Sequence, residues 1–339
     1  MSSPEALDAA LAALDEALAA GDHALAAQLS EESLRVFPDS GEICHARGLA
    51  MLGLGRTDAA LEQLFEALRL EPDLADAWLD AAELLIEEVG DELRGLELLR
   101  EAGDRLEDPK ALAEVAMLRG IALSHLQDLS GSLRALQEAE KLDPENPEPL
   151  LEAASVLIEL LRLDEAETAL RRSLALGSED PRAYQLLAFV LDYTGRREES
   201  AEELRRAAAL DPELPEGPVR MTEDEFDGAV VAALLKVPER FARHLENVEI
   251  SVQNFPDRDF CRRHDCGPMT LGLYVGTPIT LRENEARDLP DRIVLFQRSL
   301  ESACRTRDEL VDEIAITLKH EIGHFLGLEE DELHDAGHG

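Results

Sequence analysis

Two histidines four residues apart with a glutamate beside the first, His320-Glu321-Ile322-Gly323-His324, have the types and spacing that could do chemistry most directly. The apolar positions Leu310, Val311, Ile314, Ala315, Leu318 and Ile322 recur at helical spacing and predict a helix from about Arg307 through this stretch. On a helix, residues four apart lie one above the other, about 6 Å apart, so both imidazoles can reach one Zn²⁺. Glu321 is turned away from direct coordination but can reach a water on the metal, which is where a general base for hydrolysis must stand. Gly327 lets the chain leave the helix in the left-handed conformation and turn back. Glu330 and Asp331 come next, and a carboxylate is a competent zinc ligand. The expected metal set is therefore His320, His324 and either Glu330 or Asp331, with His334 and His338 read as part of a solvated tail.

The 339 residues are enough for two domains, each with its own core. With 33 basic against 73 acidic residues the formal charge is −40, which repels nucleic-acid phosphates and anionic lipid and excludes both as main partners. Basic proteins or peptides fit better. The N-terminal residues, Met1-Ser2-Ser3-Pro4-Glu5-Ala6, carry no basic segment followed by an apolar one, and no run in the chain is apolar enough to cross a membrane. A cytoplasmic, soluble protein is the expectation. The four cysteines, Cys44, Cys261, Cys266 and Cys304, are too scattered for a disulfide framework.

Residues 4 to 215 are rich in Ala, Leu and Glu, and Pro38, Pro72, Pro109, Pro144 and Pro212 punctuate them at intervals near 34 residues or twice that. In residues 41 to 72, small residues at Gly48, Ala60 and Ala67 allow two helices to approach, Gly55 supports a tight turn, and Pro72 blocks continuation. The pattern returns after Ala113 and after Pro181, and more weakly at residues 75 to 109, where about three residues are extra, and at 147 to 178. Over about six units this resembles the tetratricopeptide (TPR) repeat family. The resemblance implies an α-solenoid of helical hairpins whose concave face, lined by first helices, binds a protein or peptide. Carried onto this chain, the concave positions include His45, Leu49, Met117, Ile121, Gln185, Phe189 and Tyr193. Few are basic, so a clamp for acidic peptide tails is not expected, and His23 and His125 read as structural.

Three prolines and a glycine between Leu210 and Pro218 predict a junction, giving a repeat domain at 4–215 and a second domain at 219–339. Thr222 with Glu225 reads as a capping box, followed by a helical face of Phe226, Val230, Leu234 and Phe241. Val248 to Gln253, Leu271 to Val275, Pro278 to Arg282 and Arg292 to Gln297 read as strands. Cys261-Arg262-Arg263-His264-Asp265-Cys266 gathers thiols and an imidazole, but its spacing is not that of a zinc ribbon or finger, and an irregular loop is expected. The second unit resembles the minimal zincin-like metallopeptidases of bacteria. The opening Met221 to Phe226, the segment Gly272 to Thr280, Pro290 to Ile293, and His320 to Asp331 carry the likeness. It departs from that pattern in the charged Lys319 before the first histidine and in lacking a methionine after the motif.

The resemblance implies a small α+β fold, zinc on His320 and His324 with an acidic third ligand, and Glu321 as catalytic base. Glu330 stands at the spacing where such proteases carry their third ligand. A peptide or protein substrate is expected to lie along an edge strand, assigned here to Arg292 to Gln297. Tyr274 is the candidate for stabilising the oxyanion, with a core tyrosine whose hydroxyl is already bonded as the alternative. The reading is thus a zinc-dependent metallopeptidase whose repeats recruit a protein. The alternative is a TPR adaptor or scaffold whose zincin-like domain is non-catalytic or regulatory.

Overall fold

A computed structural model of the chain describes residues 4–215, 217–281 and 291–328. It forms two compact units, Met1–Val156 and Leu157–Gly339. Among the described residues no helix is long and apolar enough to cross a membrane.

The first unit consists of antiparallel helical pairs: α1 (Pro4–Ala19) with α2 (His23–Leu34), α3 (Gly41–Gly53) with α4 (Thr57–Leu70), α5 (Ala75–Glu83) with α6 (Glu92–Arg105), and α7 (Pro109–His125) with α8 (Leu129–Leu142), followed by α9 (Glu148–Glu159). Side chains of Asp22, Ser40, Asp91, Asp108 and Asp128 accept first-turn N–H groups and so fix where α2, α3, α6, α7 and α8 begin. The small positions work as the pattern requires. A Cβ on Gly48 would stand 3.0 Å from Leu64 and one on Gly120 would stand 2.6 Å from Leu136, so each hairpin closes to a distance only glycine allows. The extra residues of the third hairpin are absorbed as a wider π-turn at Leu84–Val89. His45 bonds Asp80 at 2.5 Å and His125 faces Glu92 at 3.6 Å, each joining neighbouring helical pairs.

The turn inside each hairpin needs one residue with positive φ. Gly21, Gly55, Gly90 and Gly195 supply it at four hairpins, whereas Gln127 (φ 62°) and Leu161 (φ 55°) adopt it without being glycine. At residues 147 to 178 this leaves no glycine to mark the turn, one reason that unit is weaker in the sequence, whereas the unit after Ala113 is legible without it.

In the second unit α10 (Leu163–Ala175), α11 (Pro181–Tyr193) and α12 (Arg197–Leu210) complete the repeats. Then come α13 (Glu223–Leu234), α14 (Glu239–Ala242), β1 (Val248–Gln253), α15 (Arg258–His264), β2 (Gly272–Val275), β3 (Asp291–Phe296), α16 (Gln297–Ala303) and α17 (Arg307–Leu326). The sheet order is β1-β3-β2, with β1 parallel and β2 antiparallel to β3. Alternation splits β3 between two cores. Ile293 and Leu295 pack with Phe226 and Val230 of α13 and Leu310, Ile314 and Leu318 of α17, whereas Val294 and Phe296 pack with Phe260 of α15.

Three expectations are corrected. The stretch from Pro278 to Arg282, expected as a strand, is not one in its described part: the chain makes a 3₁₀ turn at Ile279–Leu281, after a proline that lacks the N–H a ladder needs. Phe241 does not extend the α13 face, because Pro238 ends that run and α14 starts afresh. Residues 258 to 264, expected as loop, form α15, capped by the Asp257 side chain and ended by Asp265 in the left-handed conformation. The capping box of α13 is present as expected, with both the Thr222 and Glu225 bonds formed.

The last repeat is bound tightly to the segments C-terminal to it. Phe255 stacks on Tyr193 at 5.0 Å and meets Phe189 edge-on at 5.6 Å, while the Tyr193 hydroxyl donates to the Pro256 carbonyl at 2.5 Å. Burial pushes the Tyr193 hydroxyl pKa up to about 12. Two of the positions expected to face a ligand are therefore filled by this chain itself. Arg220 bridges Asp192 of α11 at 2.6 Å and Glu301 of α16 at 2.8 Å. Glu301 is wholly buried and also accepts from the Met221 N–H, Gln297 and Arg298, so its charge is fully met.

Glu301→Ala is expected to destabilise this unit by about 2–4 kcal/mol, because it strands two partly buried arginines and the buried donors of Met221 and Gln297. Hydrogen exchange of the α17 amides in urea measures the loss, and a change under about 1 kcal/mol would contradict the account. In the first unit Gln127→Gly should stabilise by about 1 kcal/mol, since it removes a left-handed side chain at an exposed site; the unfolding midpoint reads this out.

Candidate metal and hydrolytic site

Helix α17 begins with a capping box, Thr306 accepting the Glu309 N–H and Glu309 accepting the Thr306 N–H. It ends at Gly327 (φ 75°), where the Leu328 N–H returns to the Gly323 carbonyl at 3.0 Å. Between those limits the apolar stripe is pinned against the sheet, which orients the opposite edge of the last two turns. His320 lies exposed there and His324 half-buried.

The two histidine Nε2 atoms converge to 2.9 Å, with rings at 88°. Two imidazole nitrogens on one tetrahedral Zn²⁺, with bonds of about 2.0–2.1 Å, stand roughly 3.3 Å apart, so a small opening of this pair admits the ion. Among the described residues no three His, Cys, Asp or Glu side chains gather as a metal site. The described part thus contributes two donors. Glu330 and Asp331, expected to supply the third, lie outside the described residues, as do His334 and His338. Among the described residues Cys261 and His264 are not joined by further donors into a second site, and the His264 ring instead packs on Phe260 at 4.4 Å.

Glu321 is buried, with only 5 % of its surface exposed. Its Oε2 accepts the backbone N–H of Tyr274 at 2.6 Å. Burial pushes its carboxyl pKa above the ordinary range, and the Tyr274 N–H and the two histidines offset only part of that rise. Helix and strand come this close because of Gly272. A Cβ there would stand 2.6 Å from Thr317 and 3.3 Å from Glu321.

The Tyr274 side chain has partners of its own. Its hydroxyl donates to Asp291 at 2.7 Å and its ring meets Phe325 edge-on at 5.7 Å. Asp291 was not foreseen as part of the site. It is reached only through the antiparallel register that sets Tyr274 opposite Ile293, and no local pattern announces that pairing. Tyr274, Glu321 and His324 line a pocket of about 540 Å³, closed on other sides by Pro278, Thr280 and Leu328.

The strand expected to receive a substrate is corrected as well. β3 is the central strand, paired on both sides, so it has no free edge. Among the described residues the edge strands are β1 and β2, and β2 is the one bonded to Glu321 of α17. The Phe296 N–H bonds Leu271, so alternation turns the backbone groups of Gly272 and Tyr274 away from β3, and the Tyr274 N–H is the one that Glu321 takes.

Comparison with known proteins agrees with this architecture. Residues 245–338 match the family model described as zincin-like metallopeptidase, and residues 125–190 and 181–214 match tetratricopeptide repeat models. No curated protein matches the chain. Among solved structures, PilW, titled a widely conserved type IV pilus biogenesis factor, shares 16% identity at a TM-score of 0.55, covering 63% of this chain and 97% of its own. PilF of Pseudomonas aeruginosa shares 18% identity at 0.53, covering 61% and 93%. Such identities show the fold alone. The chain therefore carries tetratricopeptide helical hairpins followed by a small zincin-like α+β fold.

Gly272→Ala is expected to push α17 off β2 and cost about 1–3 kcal/mol. Gly228→Ala, in α13 with open space around its Cβ, should instead stabilise by about 1 kcal/mol. Thermal melts of the two variants distinguish close packing from a general intolerance of glycine replacement.

Proposed function

We propose that the chain is a zinc-dependent peptidase in which His320, His324 and either Glu330 or Asp331 hold the ion and Glu321 is the general base. The repeats at 4–215 recruit the protein that the domain at 219–339 cuts. The observation that supports this most directly is the convergence of two Nε2 atoms beside a buried carboxylate that is bonded to an edge strand of the described sheet. A purely structural zinc site would close four ligands around the metal and would not need Glu321.

Zn²⁺, when bound, supplies a Lewis acid that acidifies water and polarises a carbonyl. The protein's own groups do the rest. Oε2 of Glu321 is held by the Tyr274 N–H, which leaves Oε1 to take a proton from the attacking water and return it to the leaving amine. A raised carboxyl pKa suits a group that must hold that proton for part of the cycle. The substrate backbone adds along β2, where main-chain groups bind an extended peptide whatever its sequence. Tyr274 serves the oxyanion by exchanging its bond to Asp291 for one to the substrate.

A basic substrate protein is favoured for the repeats. On their first helices Glu83 and Glu114 are partly desolvated and crowded by Asp76, Asp80 and Glu148, and both carboxyl pKa values are raised as a result. A cationic partner relieves that crowding.

Proteome-wide cleavage profiling of wild type against Glu321→Gln tests the proposal. The variant should retain zinc, measured by metal analysis, and lose about 10²–10⁴-fold in cleavage. His324→Ala should lose the metal itself. Equal cleavage by Glu321→Gln and wild type would overturn the assignment of the base. Zinc binding with no cleaved protein in any sample would favour the adaptor reading.

A further inference from the structure

The end of α15 places two thiols side by side. Asp265 takes the left-handed conformation (φ 52°, ψ 52°), and the N–H groups of Asp265 and Cys266 both return to the Cys261 carbonyl, the latter at 3.2 Å. The Cys266 bond is the six-residue closure of a Schellman-type turn and the Asp265 bond the five-residue closure of an αL cap; the six-residue closure brings the side chains at its two ends into contact. Here those side chains are Cys261 and Cys266, and their thiols interact. The Cys261 sulfur is buried and points its weak S–H towards the carbonyls of Gly267 at 3.5 Å and Pro256 at 3.9 Å. Cys266 is half-buried and so is the one of the pair open to solvent.

We propose that Cys261 and Cys266 form an oxidisable dithiol that closes reversibly to an intramolecular disulfide when a hydroperoxide reaches Cys266. The Cys266 thiolate attacks one peroxide oxygen. An S–O bond forms, the O–O bond breaks, and the departing alkoxide takes a proton from water and leaves as an alcohol. The Cys261 sulfur then attacks the Cys266 sulfur: the S–S bond forms, the S–O bond breaks, and hydroxide leaves with the Cys261 proton as water. Two thiols lose two electrons and the peroxide gains them.

The order follows from exposure. Burial above all, then the neighbouring Cys266, pushes the Cys261 thiol pKa up to about 12, so Cys261 stays protonated and the more exposed Cys266 meets the peroxide first. Closing the bond removes only a weak S–H donor. The Pro256 carbonyl keeps the Tyr193 hydroxyl, so no buried acceptor is orphaned. Cys44 and Cys304 are buried, and they should stay reduced.

The test reads mass rather than activity, so it stands independently of the hydrolytic proposal. Full-length protein is exposed to hydrogen peroxide, the remaining thiols are alkylated, and peptides are mapped. The expected result is loss of two hydrogen atoms from a species linking Cys261 to Cys266, reversed by dithiothreitol, with Cys44 and Cys304 alkylated as before. Cys261→Ser should leave a dimedone-reactive sulfenic acid at Cys266, and Cys266→Ser should leave Cys261 unoxidised at the same dose. Full alkylation of both cysteines in peroxide-treated wild type overturns the proposal, as does linkage to a second chain in place of the internal bond.

Discussion

The bond from the Tyr274 N–H to the Glu321 carboxylate is the contact on which the candidate site depends. It joins the last turns of α17 to the edge strand β2, and Gly272 lets helix and strand approach to a distance at which a Cβ would press on Thr317 and Glu321. Burial of the carboxylate results from the same approach, and burial is the cause of its raised pKa. One steric permission thus sets where the carboxylate stands, how readily it holds a proton, and which backbone groups of the sheet edge remain outside.

A second constraint acts at the base of this unit. Taking a glutamate fully out of water is costly unless every lone pair and charge is answered, and Glu301 is answered by Arg220, Arg298, Gln297 and the Met221 N–H. Because Arg220 also holds Asp192, the last repeat is drawn into that network. The aromatic contact of Phe255 with Phe189 and Tyr193 adds apolar burial to it. The last repeat accordingly shares a compact unit with the fold that bears the histidines. Two aromatic side chains that repeat logic would leave for a ligand serve here as internal packing.

The repeats themselves illustrate how a period survives when its marker residues do not. The hairpin turn is a backbone requirement, and Gln127 and Leu161 meet it in place of glycine. The third hairpin keeps its phase by winding Leu84–Val89 one residue wider. A pattern based on glycine and proline fades at the Leu161 turn and is stretched at the third hairpin even though the packing repeats.

Much was legible from residues alone, and for one reason: the relevant physics was local. Helix α17, the glycine that ends it, the face shared by His320 and His324, the capping box of α13 and strand β1 all arise from periodicity and from hydrogen bonds spanning a few residues. The small positions Gly48 and Gly120 were likewise readable, because the helices they bring together are adjacent in the chain. What only the tertiary structure decided involves partners far apart in sequence. β3 and β2 look alike as apolar runs, yet pairing order makes one central and the other an edge, which moves the expected substrate strand. The Tyr274 hydroxyl meets Asp291 through strand register, and Phe189 and Tyr193 meet Phe255 through docking of the last repeat. Sequence spacing carries no information on such contacts, since they arise when separate elements bury their faces together.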